Sequence, residues 1–157
     1  MTESVYIETS MVSYLTARPS NNLIMMANQE VTRKWWETRR DQFTLCVSQV
    51  VLDEAAQGDP EMAIKRLEVL QSLVVLELTE SVQDLGLQFL TRSSMPPKAS
   101  DDAIHIAAAT VHGLDYVLTW NCKHIANAQI QRKLAEISTN FGYRLPIICT
   151  PYELMGD

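Results

Sequence analysis

The sequence predicts an α/β domain with a mostly parallel central sheet of four to five strands, flanked by helices on both faces. Short apolar runs alternate along the chain with longer amphipathic segments. Turn-forming Gly, Pro, Ser and Asn residues separate these segments. The chain has 157 residues, of which 46% are apolar, which is enough for one packed core and too few for two. We therefore expect residues 1–157 to form a single domain.

The first part of the chain predicts two strands and two helices. Residues 4–7 are a short apolar run typical of a buried strand. A helix begins at Ser10 and is broken by the Pro-Ser-Asn-Asn sequence at 19–22. A longer helix is expected over 23–40, and the β-rich residues 43–47 predict the second strand. In the longer helix, one apolar stripe is expected to face the core: Leu23, Met26, Ala27, Val31 and Trp35.

The middle of the chain predicts two helices and a third strand. Ser48 is suited to cap a helix over 49–57, because a serine hydroxyl accepts a hydrogen bond from the free backbone N–H groups at a helix start. Asp59, followed by proline, predicts the start of a second helix over 60–71. The apolar run at 73–78 predicts the third strand.

The last part of the chain continues the alternation of helices and strands. Ser100 is suited to cap a helix, and the two prolines within 95–97 exclude a helix in that loop. The capping-box sequence at 150–153 predicts the start of a final helix. The other expected elements are, in order, helices over 81–92 and 101–112, a strand over 115–119, a helix over 126–141 and a strand over 146–149.

Composition limits the classes of function. The net charge of −6 gives no sign of a globally basic nucleic-acid binder, although a local basic rim is compatible with it. Three cysteines without framework spacing, in a chain without a signal-peptide pattern, favour reduced thiols and a cytoplasmic location. No apolar run approaches the ~20 residues that a membrane span requires, so we expect no membrane association.

Acidic and amide side chains occur where predicted strands end and where predicted helices begin. Glu8 follows the first strand and Asn121 follows the fourth, while Glu54 and the pair Asp101-Asp102 lie early in helices. In open parallel sheets, ligands bind beyond the carboxyl ends of the strands. Carboxylates gathered there repel each other and need protons or a cation. The sequence therefore predicts a divalent-metal site at that edge.

Helical spacing ranks the two adjacent aspartates. Asp102 is four residues before Ile106 and seven before Ala109, on the inward face, whereas Asp101 aligns with His105 and Ala108. Asp102 is therefore the preferred pocket residue. We expect His105, on an otherwise apolar helix, to be a packed core histidine rather than a catalytic group.

Four segments carry a resemblance to a known family. They are YIETS at 6–10, SQVVLDEAAQGD at 48–59, DDAIHIAAA at 101–109 and DYVLTWN at 115–121. In this order they resemble the PIN domain family, and within it the VapC-type toxin ribonucleases of toxin–antitoxin pairs. The resemblance spans essentially the whole chain and implies a metal-dependent endoribonuclease that hydrolyses RNA phosphodiesters.

The resemblance assigns the family's acidic positions to Glu8, Glu54, Asp102 and Asn121. The first position is usually aspartate and the last is often aspartate, so this chain carries a longer acid at one and an uncharged amide at the other. The carboxylates at the family's positions are therefore those of Glu8, Glu54 and Asp102, and Asp101 is a possible fourth. These departures lower the negative charge that is available to hold a metal.

The resemblance also implies roles for these residues. Mg²⁺ or Mn²⁺ would be held by Glu8 and Asp102, with Asp101 as an additional candidate, since both ions prefer hard oxygen ligands. Glu54 would orient a water or hold a second metal, and Asn121 would position water or a phosphate oxygen. Three hydroxyl residues are expected to hydrogen-bond these ligands: Thr9, Ser10 and Thr119.

RNA approaching an acidic pocket requires cations at its rim and surfaces for bases. The candidates near the motifs are Lys98, Lys123, His124, Arg132 and Lys133, with Trp120 as a base-stacking residue. The resemblance further implies a cognate antitoxin, which would lay a helix or an extended segment in an apolar groove, and a homodimer.

Two other functions remain open from the sequence. The amide at Asn121 is compatible with a non-enzymatic RNA-binding or interaction module that has lost turnover. A metal-dependent phosphatase or small-nucleotide enzyme is a third reading. The chain has no glycine-rich phosphate loop of the GxxxxGK or GxGxxG type, which argues against an NTPase or a dinucleotide enzyme.

Overall fold

A five-stranded sheet lies at the centre of the computed structural model, which describes residues 2–156. Met1 and Asp157, the ends of the predicted domain, lie outside the described residues. The strand order is β3-β2-β1-β4-β5, and every pairing is parallel. The prediction of a mostly parallel sheet of four to five strands is confirmed. The strands are β1 (Ser4–Ile7), β2 (Thr44–Ser48), β3 (Val74–Leu76), β4 (Tyr116–Leu118) and β5 (Ile147–Cys149).

Seven α-helices within residues 2–156 cover the two faces of this sheet. The first four contact one another through α1, and α5 packs against α6 and α7. Right-handed crossovers from β1 through β3 place the first group on one face, and the return to β4 and β5 places the second on the other. The helices are α1 (Thr9–Thr16), α2 (Leu23–Arg39), α3 (Gln49–Ala55), α4 (Pro60–Leu70), α5 (Glu80–Arg92), α6 (Ser100–Val111) and α7 (Ala128–Asn140). Over this range, no helix has both the length and the apolar character that crossing a bilayer requires.

The order of the strands creates a crevice between β1 and β4. The chain moves outward from β1 to β2 and β3, and then returns to the other side of β1 to form β4 and β5. Adjacent crossovers therefore run to opposite sides at this point, and the carboxyl ends of β1 and β4 flank the opening. Ile7 pairs with Leu118. Glu8 directly follows this pair, and its N–H donates to the Leu118 carbonyl at 3.1 Å.

The core holds β1 and α6 in fixed positions. Val5, Tyr6 and Ile7 are almost completely buried, as expected for the central strand of a sheet with helices on both faces. α6 is rich in buried alanine, which lets it approach its neighbours closely. Gly86 of α5 allows the same approach from the other side, since a Cβ at this position would lie 2.7 Å from Cδ1 of Ile104. The functional residues of β1 and α6 are therefore carried on a rigid base.

The predicted apolar stripe of α2 is wrong in its first half. Leu23 is 74% exposed, and Met26 and Ala27 are also exposed, whereas Trp35 is buried as expected. Gln29 takes an interior position instead, because its side chain donates to the Arg18 carbonyl and accepts from the N–H of Ser20. The first turns of α2 therefore lie outside the core, and their apolar side chains face solvent.

Of the predicted caps, Ser48 lies at the predicted position without its capping bond, and Ser100 is displaced by one residue. Ser48 stands at the N-cap of α3, but its side chain makes no capping bond because its hydroxyl pairs with Tyr6. Ser100 is the first residue of α6 and its N-cap is Ala99. In contrast, Asp59 caps α4 through the N–H of Met62, as predicted.

Short 3-10 turns account for the remaining differences. The loop predicted to exclude helix contains a 3-10 turn over Pro97–Ala99, which tolerates proline at its first position. The expected final helix is a 3-10 turn over Pro151–Leu154, and its predicted capping box between Thr150 and Glu153 is present. β3 covers only Val74–Leu76 of the predicted 73–78 run, and Val74 and Val75 lie half-exposed on this edge strand.

Candidate functional site

Glu8 is a buried carboxylate at the mouth of the crevice. Side chains alternate along a strand, so Glu8 follows Tyr6 on the face that α6 covers. Its side chain does not cap α1, although Glu8 occupies the N-cap position, and it is only 5% exposed. Ser10 and Thr119 each donate a hydroxyl hydrogen bond to Oε1 at 2.5 Å. Within residues 2–156 both of these bonds fall on Oε1, which leaves Oε2 for a cation.

Glu54 enters the same crevice from α3. Its Oε1 accepts hydrogen bonds from Thr9 Oγ1 and His105 Nε2, each at 2.6 Å. The side chain is 29% exposed, while that of His105 is completely buried. Glu54 therefore faces solvent on one side and is held by α1 and α6 on the other.

His105 connects the crevice to the interior of the sheet. Its Nδ1 lies 2.6 Å from the hydroxyl of Tyr6, which in turn lies 2.8 Å from the hydroxyl of Ser48. Tyr6, Ser48 and His105 are all fully buried. An imidazolium donates from both nitrogens, to Glu54 and to Tyr6, and the Tyr6 hydroxyl then donates to Ser48.

The charges of this cluster support one another. Burial opposes the charged form of His105, but the hydrogen bond to Glu54 and the charges of Glu8, Glu54 and Asp102 outweigh it and raise its pKa. Burial would raise the pKa of Glu54, but the hydrogen bond and charge of His105 outweigh it and lower this pKa. Burial, with the nearby carboxylates, raises the pKa of Tyr6 and keeps it neutral. The raised pKa of His105 favours its charged form, which would relieve part of the repulsion among the acids.

Asp102 lies on the opposite wall of the crevice, where α6 begins. Its Oδ1 accepts from Asn121 Nδ2 at 3.3 Å, and its Oδ2 accepts from His124 Nδ1 at 3.0 Å. Asn121 Oδ1 accepts from the backbone N–H of His124 at 3.0 Å. Asp102 is half-buried, whereas Asp101 is exposed. Asp102, Asn121 and His124 therefore form a second, shallower group.

Hydroxyl groups join the loop after β4 to the loop after β1. Ser10 Oγ donates to Glu8 and accepts from the N–H of Trp120 at 2.8 Å. Thr119 Oγ1 donates to Glu8 and accepts from the N–H of Asn121 at 2.9 Å. Because these hydroxyls bridge the two loops, the position of Asn121 is coupled to that of Glu8.

Trp120, a predicted base-stacking residue, already has aromatic partners. Its ring stacks on Tyr14 with centroids 5.5 Å apart, and Tyr152 approaches edge-on at 5.7 Å. Its Nε1 donates to Thr32 Oγ1 at 2.7 Å. Trp120 therefore fixes its own loop against α1 and α2.

The predicted cationic rim is exposed only in part. Lys98 and Lys123 are exposed near the motifs, while His124 is half-buried and bonded to Asp102. Arg132 and Lys133 lie on α7, where Lys133 contacts Ser94. Their roles in binding RNA stay predictions.

The structure adds three residues that the sequence analysis did not place at the site. Glu8 and Glu54 converge, and the buried polar groups beneath them are His105, Tyr6 and Ser48. His105 is buried as expected, but it contacts an acid rather than apolar side chains alone. A signal was present in the spacing, since Tyr6 shares a strand face with Glu8, and His105 shares a helix face with Asp102.

The donor set fits a hard divalent cation. Ligand atoms of Glu8, Glu54 and His105 all lie within 4.8 Å of one another, and no other such group occurs among residues 2–156. Two of these residues supply carboxylate oxygens, the ligands that Mg²⁺ and Mn²⁺ prefer. The nearby Asp102 adds a further carboxylate across the crevice. The carboxylates could hold a metal, while both ring nitrogens of His105 are engaged by Glu54 and Tyr6.

Solved structures share this fold. VapC20 from Mycobacterium tuberculosis, a sarcin-ricin loop cleaving toxin, matches with a TM-score of 0.61 and 14% identity, over 89% of this chain and 96% of that one. VapBC2 from Rickettsia felis, solved bound to a DNA fragment from its promoter, matches with a TM-score of 0.57 and 12% identity, over 93% of this chain and 97% of that one. No family model matches the sequence, and no curated relative matches it. The chain therefore has the VapC-type PIN fold that the sequence motifs indicated.

Proposed function

We propose that this chain, with its VapC-type PIN fold, is a Mg²⁺- or Mn²⁺-dependent endoribonuclease and the toxin of a toxin–antitoxin pair. The observation that carries the proposal is the convergence of Glu8 and Glu54 at the carboxyl edge of the sheet. Asp102 lies close enough for its charge to raise the pKa of His105. A set of acids built into the centre of the fold is a costly arrangement for a purely structural protein.

Each residue has a task in the proposed hydrolysis. When bound, Mg²⁺ or Mn²⁺ supplies a Lewis acid that offsets charge on the phosphoryl oxygens and acidifies a water. Glu8 Oε2 and Asp102 would hold the ion. Glu54, kept ionised by His105, would add its negative charge to the binding site of the ion and accept a hydrogen bond from the attacking water. Asn121 Nδ2 already donates to Asp102, so it would orient that ligand.

We expect the substrate to enter on the side of Asp102, Asn121 and His124. RNA would enter past the exposed Lys98 and Lys123, which supply positive charge at the rim of an acidic crevice. Single-stranded or looped RNA suits such an opening better than a continuous duplex, because unpaired backbone can bend into a narrow site. The name of VapC20 records cleavage of an RNA loop by that protein.

Cleavage of RNA by matched aspartate variants tests the proposal. The purified protein is incubated with structured and single-stranded RNAs in Mg²⁺, in Mn²⁺ or with chelator. We expect cleavage only with metal, and a loss of about 10²-fold or more in Asp102→Asn protein. Asp101→Asn is the matched control, since it removes the same charge from the same helical turn at an exposed position, and it should retain most activity. Cleavage that persists in Asp102→Asn protein would overturn the assignment.

An antitoxin partner is part of the same proposal. The exposed Leu23 and Ile24 at the start of α2 form an apolar surface of the kind that a partner covers. A groove of about 550 Å³ between α1 and α4 is lined by Ala17 and Met62 together with polar and charged side chains, namely Ser13, Arg18, Asp59 and Arg66. Co-purification with the product of an adjacent reading frame, and inhibition of cleavage by that product, are the expected results. Sedimentation of the purified chain tests the expected homodimer.

A non-enzymatic RNA-binding module is the second candidate. The observation that favours it is Asn121, which is uncharged and has both ends of its amide engaged, with Asp102 and with the N–H of His124. Tight RNA binding without metal-dependent cleavage would select this candidate over the first.

A further inference from the structure

A buried chain of polar groups crosses the core and ends at the crevice. It runs from Ser48 at the end of β2, through Tyr6 on β1 and His105 on α6, to Glu54 on α3. The three interior members have no exposed surface. The successive heavy-atom distances are 2.8, 2.6 and 2.6 Å. Four separate elements of the fold are therefore linked through a single line of hydrogen bonds.

Core packing alone does not explain this buried line of hydrogen-bonded polar groups. Burying hydroxyl and imidazole groups costs free energy even when they are paired, and apolar side chains of similar size would fill the same volume. Moreover, the line is not closed within the core, because its last member is half-exposed in the crevice. Its polar groups are directed toward one carboxylate at the site.

Glu54 needs support of this kind. It lies near the end of α3, a helix of only seven residues. Its long side chain loses rotamer freedom when it is fixed in place. The carboxylate of Glu8 lies close by and repels it. Thr9 and His105 are its hydrogen-bond donors among residues 2–156, and of these two only His105 is anchored in the core.

We propose that Tyr6 and His105 are positioning residues, which hold the Glu54 carboxylate in the geometry that binds the metal without contacting RNA. The inference rests on the proposed function for the identity of the site and goes beyond it by assigning this role to two core residues. His105 donates from Nε2 to Glu54, and Tyr6 fixes the ring of His105 by accepting from Nδ1.

The two ring nitrogens of His105 have different partners, so the substitutions His105→Gln and His105→Asn are expected to have different effects. Gln places an amide N–H near the position of Nε2, so it can still donate to Glu54. Asn places its amide near Nδ1, so it can reach Tyr6 but not Glu54. If His105 acts through Glu54, His105→Gln should retain more function than His105→Asn, whereas a role limited to filling volume gives no such order.

Mn²⁺ affinity in the absence of RNA is the direct measurement, by titration calorimetry or by electron paramagnetic resonance of free Mn²⁺. We expect His105→Asn to weaken Mn²⁺ binding by about 10- to 100-fold, as for other groups that orient ligands. His105→Gln should weaken it less, and Tyr6→Phe by about tenfold. Tyr6→Phe keeps the shape of the core, so it remains informative if a His105 variant does not fold.

Matched controls exist at the start of β4 and at the end of α6. Tyr116→Phe removes an exposed hydroxyl bond to Glu3, and His112→Gln removes an exposed imidazole at the end of α6. Both should leave Mn²⁺ affinity unchanged. Thermal unfolding without metal is recorded for every variant, so that a loss of metal binding is compared among proteins that are folded.

A double-mutant cycle tests whether the effect passes through Glu54. In a Glu54→Gln background, His105→Asn should cause no further loss of Mn²⁺ affinity, because the group that it positions has lost its charge. Equal losses in both backgrounds would overturn the inference, as would Tyr6→Phe protein with wild-type affinity or wild-type protein that binds no Mn²⁺.

The outcomes also separate this inference from the proposed function. A wild-type chain that binds Mn²⁺, shows the expected order of variants and cleaves no RNA would support the positioning role and overturn the ribonuclease assignment. A protein that cleaves RNA but keeps full Mn²⁺ affinity in its Tyr6→Phe and His105→Asn variants would support the ribonuclease assignment and overturn the positioning role.

Discussion

Two carboxylate–histidine pairs face the same crevice, and they differ in the depth of their histidines, while the side chains of Glu54 and Asp102 are 29% and 18% exposed. Glu54 pairs with His105 at 2.6 Å, and Asp102 pairs with His124 at 3.0 Å. His105 is completely buried and bonded through both ring nitrogens, whereas the side chain of His124 is 15% exposed. The first histidine is thus part of the core, and the second is part of the crevice wall.

This difference in depth suggests different tasks. A histidine anchored through Tyr6 cannot leave its acid, so the deeper pair keeps one geometry whether or not a cation is present. The shallower pair has no such anchor, and His124 can turn away from Asp102 when a cation or a phosphate approaches. The comparison predicts that the deeper pair supports the fold and that the shallower pair responds to ligands.

The largest expected contrast is in stability. His105→Ala removes two buried hydrogen bonds and leaves the Tyr6 hydroxyl with Ser48 as its remaining partner, so it should lower the free energy of unfolding by about 2–4 kcal/mol. His124→Ala removes a partly solvated pair and should cost about 1 kcal/mol or less. Urea denaturation of the metal-free proteins measures both values. Equal costs would mean that the two pairs are energetically alike, against the distinction drawn from their burial.

A contrast of opposite sign is expected in metal binding. Because His124 occupies Asp102 Oδ2, its removal frees a ligand atom, so His124→Ala should bind Mn²⁺ as tightly as the wild type or up to about threefold more tightly. Calorimetric titration of the two proteins side by side measures this change. A tenfold loss of Mn²⁺ affinity would show instead that His124 orients Asp102 for the metal.

The smallest expected contrast is in the dependence of stability on pH. The folded-state pKa of His105 is raised above its ordinary 6.5, so its stabilising charge is fully present below about pH 6.5 and is lost as pH rises through the higher folded value. The lowered pKa of Glu54 acts in the other direction, and its contribution is lost as pH falls below about 4.5.

Metal-free wild-type protein should therefore lose stability as pH rises above 6.5. His105→Gln protein should lack this slope, and His124→Ala protein should keep it. Thermal unfolding across pH 5 to 9 records the three curves, and a slope that survives in His105→Gln protein would assign it to another group.

The sheet and the convergence of two acids could be predicted from local sequence. Apolar runs of strand length that alternate with helices favour a parallel sheet, and side chains at strand ends share one edge of such a sheet. Glu8 follows the central strand directly, and Glu54 lies along an apolar stripe of its helix. These signals are short-range, so they are readable without the fold.

The partners within the site could not be predicted in the same way. Tyr6 and His105 are 99 residues apart, and periodicity places each on a buried face without indicating which polar group it meets there. Serine is a residue type that is common at helix N-caps, and only the fold shows that the Ser48 hydroxyl forms a hydrogen bond with Tyr6 instead. The prediction that the start of α2 faces the core failed for a related reason, since an apolar stripe does not indicate what covers it.

Anomalous diffraction from a crystal soaked in Mn²⁺ tests the central claim most directly. We expect one strong peak in the crevice between β1 and β4, within roughly 2.5 Å of carboxylate oxygens of Glu8 and Asp102. The carboxylate of Glu54 should lie next to this peak. A peak elsewhere on the chain, or a crevice without a peak at Mn²⁺ concentrations that support RNA cleavage, would contradict it.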